Sequence, residues 1–453
     1  MTPVDCKPVS GPDDLKRLSD CMLGKQMPAN LAHEAVLGME FGLLCQGWPV
    51  GLALGAMPEV RESMGLGRPA FREAITILEA RGMLDVRRGP GGGLFVAAPA
   101  LEDVAGAVLM FLALSGKTNE QVQEFRLIVW RMLFTAAKHR HMALPALHDT
   151  SDATALIVGV AEHIGNTTML LLTRLAELLT RISADSSPKT LDAELAAAFH
   201  VGDPDQILAC LDRLATSRNS DFRVISLEVA ERAFSLSGRK SAMALAARMT
   251  RELSESSISQ EAEWETAERL GYTDAVVRQA RRILQDFGIV QCRQGRKGAE
   301  FGAPATPAGV IRLLAPCMLA SEISSVDTTE AISLLLSGAP VLAAGRSMTD
   351  DRIAEIHNFP SAEHEMFEVV MMDNMLLELS GNALLAIVVR ALGVANIHTA
   401  SHSAPPFGLR DVIAINRRIL KAIERGDIVA ASELASAKLA VMQRAARTFR
   451  KVA

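Results

Sequence analysis

Two arginines stand four residues apart in the stretch GRPAFREAITILEARG. A helix places Arg68 and Arg72 on one face, from which their guanidinium groups can reach the phosphates and base edges of double-stranded DNA. A solvated face paired with Glu73 and Glu79 would explain the same two arginines. The arginine pair alone therefore leaves both interpretations open.

A basic, glycine-rich stretch follows that helix. Arg87 and Arg88 precede Gly89 and the rest of the run GPGGG, between the alternating segments MLDVRR and GLFVAA. The alternation predicts two short strands joined by a hairpin, and glycine lets the hairpin backbone approach phosphates closely. The hairpin is therefore a second candidate DNA-contacting element, and Arg61 upstream adds a further cation.

Three helices must position these side chains. Apolar spacing predicts a helix over 31–45, Pro58 can open a second one over 58–64, and a third runs over 68–81 until Gly82 ends it. The buried stripe of the third helix is expected to be Phe71, Ala74, Ile77 and Leu78. Three helices followed by a β-hairpin predict a winged helix-turn-helix, whose third helix fits the major groove.

The pattern occurs twice. Residues 271–302 align with residues 65–96 without gaps, at a constant offset of 206, and Arg72 stands opposite Arg278. Two further pairs of similar segments follow in the same order. They are EHIGNTTMLLLTRLAELL with LELSGNALLAIVVRALGV, and FHVGDPDQILACLDRLA with IERGDIVAASELASAKLA. We therefore predict a tandem repeat of one composite unit.

The second copy keeps part of the DNA-contacting set. Asp274 stands where the first copy has Arg68, and a carboxylate repels phosphate although it can accept from a cytosine amine. Basic residues of its own are Arg281, Arg282, Arg293, Arg296 and Lys297. The candidate DNA-binding residues of both copies are Arg61, Arg68, Arg72, Arg87, Arg88, Gly89, Thr273, Arg278, Arg282, Arg296 and Lys297.

The expected fold class is mainly α, with two winged helix-turn-helix domains, each with a small β-hairpin wing, alternating with two all-helical bundles. The abundance of Ala, Leu, Val, Met and Ile, with a single tyrosine, favours helices packed on helices. The predicted parts are an N-terminal extension (1–28), the winged helices 29–98 and 226–304, and the helical domains 99–225 and 305–453.

Composition argues against several classes of protein. The chain has no charge-free apolar run of about 18 residues, which argues against a membrane span, and no secretory signal. Its six scattered cysteines fit free cytosolic thiols better than disulfides or zinc. Because the net charge is -5, a case for nucleic acid rests on local charge. Catalytic motifs are absent, so we expect a cytoplasmic protein without enzyme activity or cofactor.

These segments resemble the GntR family of bacterial transcription regulators. GRPAFREAITILEARGML (67–84) is similar to the family's recognition-helix pattern, with Gly67 where the family has serine. TDAVVRQARRILQDFGIV is the second copy, and there Thr273 can substitute for the serine. EFR (124–126), SGNALL and RRILKAIERGDIVAASELASAKL resemble the all-helical effector domain, the FCD domain, of the FadR-like branch.

The resemblance implies a metal site that this sequence lacks. Many bundles of that branch hold a divalent metal through one Asp and three His. The corresponding positions here are Val369, Asp373, Asn416 and Lys438 in the second unit and Ala153, Ile157, Asp192 and Leu214 in the first. Because no histidine stands at any of them, we expect that neither bundle binds metal in that way.

The whole pattern predicts a sequence-specific DNA-binding transcription regulator built as two fused protomers. Such an intramolecular pseudo-dimer would read an operator with unlike half-sites and would be modulated by a small organic effector. Arg126 is the candidate for an anionic effector, and a salt bridge with a neighbouring carboxylate is the open alternative. In the alternative overall reading only the first winged helix reads DNA, in a homodimer, and the second is a dimerisation or partner-binding module.

Overall fold

The structure is a computed structural model. It describes residues 12–24, 30–142, 144, 153–184, 193–216, 222–236, 241–255, 262–287, 289–292, 299–301, 306–360, 364–399 and 408–450. Helices make up most of these residues, together with two small antiparallel sheets, which confirms the mainly α fold class. No helix within the described ranges is long and apolar enough to cross a membrane.

The first half contains a three-helix unit with a small sheet, which we name the first winged-helix domain after the predicted fold, and a helical bundle. Helix α1 (Pro12–Leu23) precedes both. The first winged-helix domain consists of α2 (Leu31–Cys45), β1 (Ala53–Gly55), α3 (Met57–Ser63), α4 (Arg68–Ala80), β2 (Leu84–Arg87) and β3 (Gly93–Val96). The first bundle consists of α5 (Leu101–Leu114), α6 (Glu120–His139), α7 (Ala153–Ile164), α8 (Thr167–Ser183), α9 (Ala193–Val201) and α10 (Pro204–Thr216).

Most elements of the second half follow a similar order, although its described residues include no counterpart of β1 and its bundle has one more helix. Helix α11 (Leu227–Leu236) precedes the second winged-helix domain, which consists of α12 (Ser241–Glu255), α13 (Glu263–Leu270), α14 (Asp274–Asp286), β4 (Val290–Cys292) and β5 (Ala299–Phe301). The second bundle consists of α15 (Ala308–Leu319), α16 (Ser325–Ala344), α17 (Asp350–His357), α18 (Glu365–Leu379), α19 (Ala383–Thr399), α20 (Leu409–Glu424) and α21 (Ile428–Arg450).

The first winged-helix domain follows the prediction closely. Helix α4 buries the expected stripe, Phe71, Ala74, Ile77 and Leu78, because these residues share the face that packs on α2. Gly82 ends the helix with a φ of 72°, a conformation that glycine adopts without steric cost. The sequence did not predict strand β1, which pairs with β3 to give the order β1-β3-β2.

Side chains cross between the two bundles in matched pairs. Asn166 donates to Glu330 at 3.2 Å, and Asn382 donates to Glu124 at 2.9 Å. The two glutamates also accept bonds from arginines of the opposite half, Arg140 to Glu330 and Arg346 to Glu124. Glu124 and Glu330 are 206 residues apart, and so are Arg140 and Arg346. Each half therefore contributes an equivalent glutamate and an equivalent arginine to the contact. That reciprocity is the pattern of a twofold, isologous interface.

The two winged-helix domains meet through α4 and α14. Glu73 Oε1 lies 3.1 Å from Arg282 Nε, and Gln279 donates to the carbonyl of Thr76 at 3.5 Å. These four residues again form reciprocal pairs at an offset of 206. The helices expected to enter DNA therefore lie side by side.

Two helices pack on the bundle of the opposite half. Helix α1, which was not predicted within the N-terminal extension, packs on α18 and α19. There Met22 contacts Gly393, and Asn374 donates to the carbonyl of Cys21 at 3.0 Å. Helix α11 packs on α5, where a Cβ on Gly106 would lie 2.6 Å from the ring of Phe234. These close contacts tie each half to the other.

Candidate DNA interface

The first half of α4 presents two free cations. Arg68 and Arg72 are exposed, and neither has a hydrogen-bond or ion-pair partner among the described residues. Pro69 lies in the first turn, where a missing N–H costs nothing, and α4 buries its opposite face. The helix is thus anchored by its apolar stripe while its arginines stay available. The alternative of a pairing with Glu73 and Glu79 does not occur for these two residues.

The wing and α3 extend the basic surface. Arg88 is exposed without a partner in the described chain, whereas the Arg87 guanidinium lies 3.9 Å from the centre of the Phe95 ring. This cation–π contact fixes Arg87 along the hairpin. Arg61 on α3 lies 2.9 Å from Glu62 in a surface pair, which is weak and easily exchanged for a phosphate contact.

Glycines shape the turn of the wing. Gly89 has a φ of 97°, in the left-handed region. A Cβ on Gly92 would lie 2.4 Å from the carbonyl oxygen of Arg87, and one on Gly93 would lie 2.6 Å from that of Gly55. The glycine run is therefore required by the hairpin itself, and Pro90 has the one side chain between Gly89 and Gly93.

The second winged-helix domain holds its arginines differently. Arg278 Nε lies 2.8 Å from Glu263 Oε2, and Arg282 faces Glu73 of the first domain. Thr273 is exposed at the start of α14 and makes no side-chain cap. Arg296 and Lys297, with Arg293, lie outside the described residues. Of the predicted set in this domain, the structure thus describes two engaged arginines and one exposed threonine.

The two helix-turn-helix surfaces differ in charge. Residues 57–72 carry three arginines and two glutamates, whereas residues 263–278 carry two arginines against three glutamates and Asp274. DNA is a dense array of phosphates, so an excess of carboxylates opposes binding. Within these sixteen residues, the first surface is therefore the less acidic of the two.

Arg126 is engaged within the first bundle. Its Nε and Nη2 each lie 2.8 Å from an oxygen of Glu177, on α8. Trp130 and Thr154 donate to the same carboxylate at 2.9 Å. The structure therefore has the salt bridge that the sequence left open as the alternative to an effector contact.

The second-bundle metal positions hold a different arrangement. Lys438 Nζ lies 2.5 Å from Asp373 Oδ1, and Asn416 Nδ2 lies 2.9 Å from the same oxygen. An ammonium group on the carboxylate, beside an amide, does not suit a divalent metal, which needs several anionic or imidazole ligands. Val369 is buried in the apolar core, as are Ala153 and Ile157 of the first bundle. Asp192 lies outside the described residues.

A buried charge cluster joins the first winged helix to the second bundle. Glu40 on α2 accepts from Arg81 at 2.6 Å and from Arg312 on α15 at 2.6 and 3.0 Å. The three side chains are no more than 5% exposed. The sequence analysis did not predict this cluster. Arg81, directly before Gly82 in an otherwise apolar segment, was the one indication of a buried charge that needs a partner.

Comparisons with known proteins give a distant structural likeness. No protein-family model matches the chain, and no curated protein matches it. A solved structure, Streptococcus agalactiae GntR, is 22% identical and covers 45% of this chain and 99% of its own, with a TM-score of 0.32. Since that TM-score is too low to establish a shared fold, the functional proposal rests on the residues described above.

Proposed function

We propose that this chain is a sequence-specific DNA-binding transcription regulator whose first winged-helix domain makes the base contacts. The observation that carries the proposal is the exposed, unpartnered pair Arg68 and Arg72 on α4, beside a glycine-shaped wing that bears Arg88. Guanidinium groups at the start of a recognition helix pair with guanine, and wing cations contact phosphates. The resemblance of GRPAFREAITILEARGML to the GntR recognition helix supports the same function.

The chain acts, in this proposal, as a pseudo-dimer of two fused protomers. Support comes from the constant sequence offset and from the reciprocal pairs Asn166–Glu330 and Asn382–Glu124. Dimeric regulators bind two-fold operators because protein symmetry is matched by DNA symmetry. Here the halves have diverged, so the operator is expected to be asymmetric.

Contact between α4 and α14 limits the geometry of that operator. Separate helix-turn-helix domains usually read half-sites about 34 Å apart, one turn of DNA. The pair Glu73–Arg282 holds the two recognition helices in direct contact. The recognised sequence is therefore expected to be short and continuous, without a spacer of one helical turn.

A second candidate function gives both winged helices a reading role. It is favoured by the side-by-side contact of α4 and α14, which lets one duplex reach both helices. In that case Thr273 and Arg278 read a half-site unlike the first. The acidic surface of 263–278 favours the first proposal instead.

Regulation by a small organic effector is part of the proposal. The sequence resemblance to effector-binding bundles supports it, whereas the pairing of Arg126 with Glu177 means that an anion would compete with a resident carboxylate. A metal has no part in the proposal, because Lys438 already contacts Asp373.

Selection of bound duplexes from a random pool by the purified chain, at one stated salt concentration, tests the function. The proposal predicts one short motif that is not a palindrome. A bipartite motif with two unlike halves would favour two reading domains. A palindrome would indicate a homodimer, and a pool without enrichment in the presence of cell extract would contradict DNA binding.

A further inference from the structure

One tryptophan of the chain lies on the surface, and it belongs to the second winged-helix domain. Trp264, in the first turn of α13, is 58% exposed, whereas Trp48 and Trp130 are buried. Its indole makes no hydrogen bond or ring contact with the described residues. The first domain has Pro58 at the equivalent position, so the fold does not require an aromatic ring there. Tryptophan is enriched at the centre of protein–protein interfaces.

Free carboxylates share the surface with this indole. Glu268 follows Trp264 by four residues, so the two side chains lie on one face of α13. Glu268 is exposed, as is Asp274 at the start of α14, and neither has a partner among the described residues. In the first domain the position of Asp274 is occupied by Arg68. The second domain thus presents free negative charge where the first presents free positive charge.

One ion pair joins α13 to α14 at this surface. Arg278, in the second turn of α14, has its Nε 2.8 Å from Oε2 of Glu263. Since Glu263 directly precedes Trp264, this contact places the indole and the start of α14 on one continuous surface. The pair also neutralises Arg278, and Arg269 of α13 is likewise paired, with Glu252 at 2.7 Å. The exposed carboxylates are therefore not compensated by these two arginines.

An arginine side chain fits this combination of groups. A guanidinium group stacks on an indole through a cation–π contact, and its planar fork pairs with carboxylates. The same carboxylates repel phosphates and acidic peptides. The surface therefore selects a basic protein segment over a nucleic acid.

We propose that Trp264, Glu268 and Asp274 form a docking surface for an arginine-bearing segment of a partner protein. The first winged-helix domain contacts DNA in this arrangement, and the second recruits a protein to it. Docking uses none of the residues of the first domain that contact DNA in the proposed function, so either proposal can fail while the other stands.

Hexa-arginine peptide is the probe, and the tryptophan fluorescence of the full-length chain is the readout. Because Trp48 and Trp130 are buried, quenching by acrylamide reports mainly on Trp264. Hexa-arginine is expected to protect this indole from acrylamide saturably, whereas hexaglutamate is expected to give no protection. Hexalysine is expected to bind about 2–5-fold more weakly than hexa-arginine, since an ammonium group lacks the stacking surface of a guanidinium.

Variants of the surface make the result specific. Fluorescence anisotropy of labelled hexa-arginine is expected to show binding weakened by about 10–30-fold for Trp264→Ala. Glu268→Gln and Asp274→Asn are each expected to weaken it by about 2–5-fold, as for exposed ion pairs. Glu62→Gln changes the position of the first domain that is equivalent to Glu268, and this matched control is expected to bind the peptide like the wild type.

Several results would overturn the proposal. They are a lack of protection by hexa-arginine, and equal peptide affinity of the wild type and Trp264→Ala. Protection of Trp264 by double-stranded DNA but not by the peptide would assign the surface to DNA instead. Protection that rises with the concentration of the protein alone would assign it to a second copy of the chain. If Trp264→Ala does not fold, unchanged affinity of Glu268→Gln and Asp274→Asn would overturn the proposal in its place.

Discussion

At the scale of single residues, Arg72 and Arg278 occupy equivalent positions in different surroundings. Arg72 is exposed and unpartnered in the described chain, whereas Arg278 is paired with Glu263 on an acidic surface. Arg72→Ala is expected to weaken binding to the selected duplex by about 1–3 kcal/mol, the value of a base contact. Arg278→Ala, the matched control, is expected to change it by less than about 0.5 kcal/mol, as for a surface position. Fluorescence anisotropy at fixed salt measures both.

The outcome at Arg278 separates the two candidate functions. An equal loss for both variants would show that both winged helices read bases, which contradicts the single-reader proposal. No loss of DNA affinity for Arg72→Ala would contradict the proposal that α4 contacts DNA. Circular dichroism of each variant controls for folding.

His398 gives the fold a dependence on pH. Its ring lies near Phe41 and Ser19 of the first half, and burial lowers its pKa from the usual 6.5 to about 4. The unfolded chain therefore binds more protons between these values, so stability falls as the pH falls from about 6.5 to about 4. His398→Leu is expected to flatten that part of the urea-unfolding profile. An unchanged slope would contradict this assignment.

The sequence indicated which arginines to consider, but it did not indicate which carboxylates the arginines contact. Arg68, Arg72 and the wing arginines follow from helical spacing and the glycine run, because these are local patterns. The partners of Arg126 and Arg278 lie 51 and 15 residues away. Periodicity cannot show which carboxylate a long side chain reaches, so only the structure identified them.

At the scale of elements, Glu40 joins α2, the end of α4 and α15. Glu40→Gln leaves the guanidinium groups of Arg81 and Arg312 buried without their carboxylate. Breaking a buried ion pair by removing one partner costs about 3–5 kcal/mol. Urea unfolding is expected to show a loss of that size, and Glu62→Gln, in an exposed pair, is expected to change stability by less than about 1 kcal/mol. Similar losses of stability for Glu40→Gln and Glu62→Gln would contradict the stabilising role of the buried cluster.

The wing is tested through Gly92. A Cβ at this position would lie 2.4 Å from a backbone oxygen of the hairpin, so Gly92→Ala must distort the turn. DNA affinity is expected to fall by about 1.5–3 kcal/mol, the value of one hydrogen bond to a charged group. Gly38→Ala, on α2 with no atom within 4 Å of the new Cβ, serves as the control in the same titration. Unchanged DNA affinity for Gly92→Ala would show that the wing does not contribute to DNA binding.

Local signals determined how well the elements were predicted. Helices α2, α3 and α4 agree with the prediction within one residue, because apolar spacing marks α2, Pro58 marks the start of α3 and Gly82 marks the end of α4. Strand β1 was missed since it has three residues and only its pairing with β3 defines it. Helix α1 was missed because its polar residues mask an apolar face that only the opposite bundle covers.

At the scale of the whole molecule, the sequence predicts a repeat, whereas the contacts between the two halves come from the structure alone. A constant offset in the sequence indicates two equivalent units. The reciprocal bonds of Asn166 and Asn382, and the packing of α1 and α11 on opposite bundles, depend on tertiary structure. Those contacts support the proposal that the two halves act as a dimer within one chain.

The mass of the protein in solution, alone and bound to the selected duplex, tests this central claim most directly. Multi-angle light scattering is expected to give a particle of 48.6 kDa and a complex of one chain with one duplex. That result would mean that a single polypeptide supplies the complete DNA-binding unit. A particle of twice the mass, or two chains on each duplex, would contradict the pseudo-dimer.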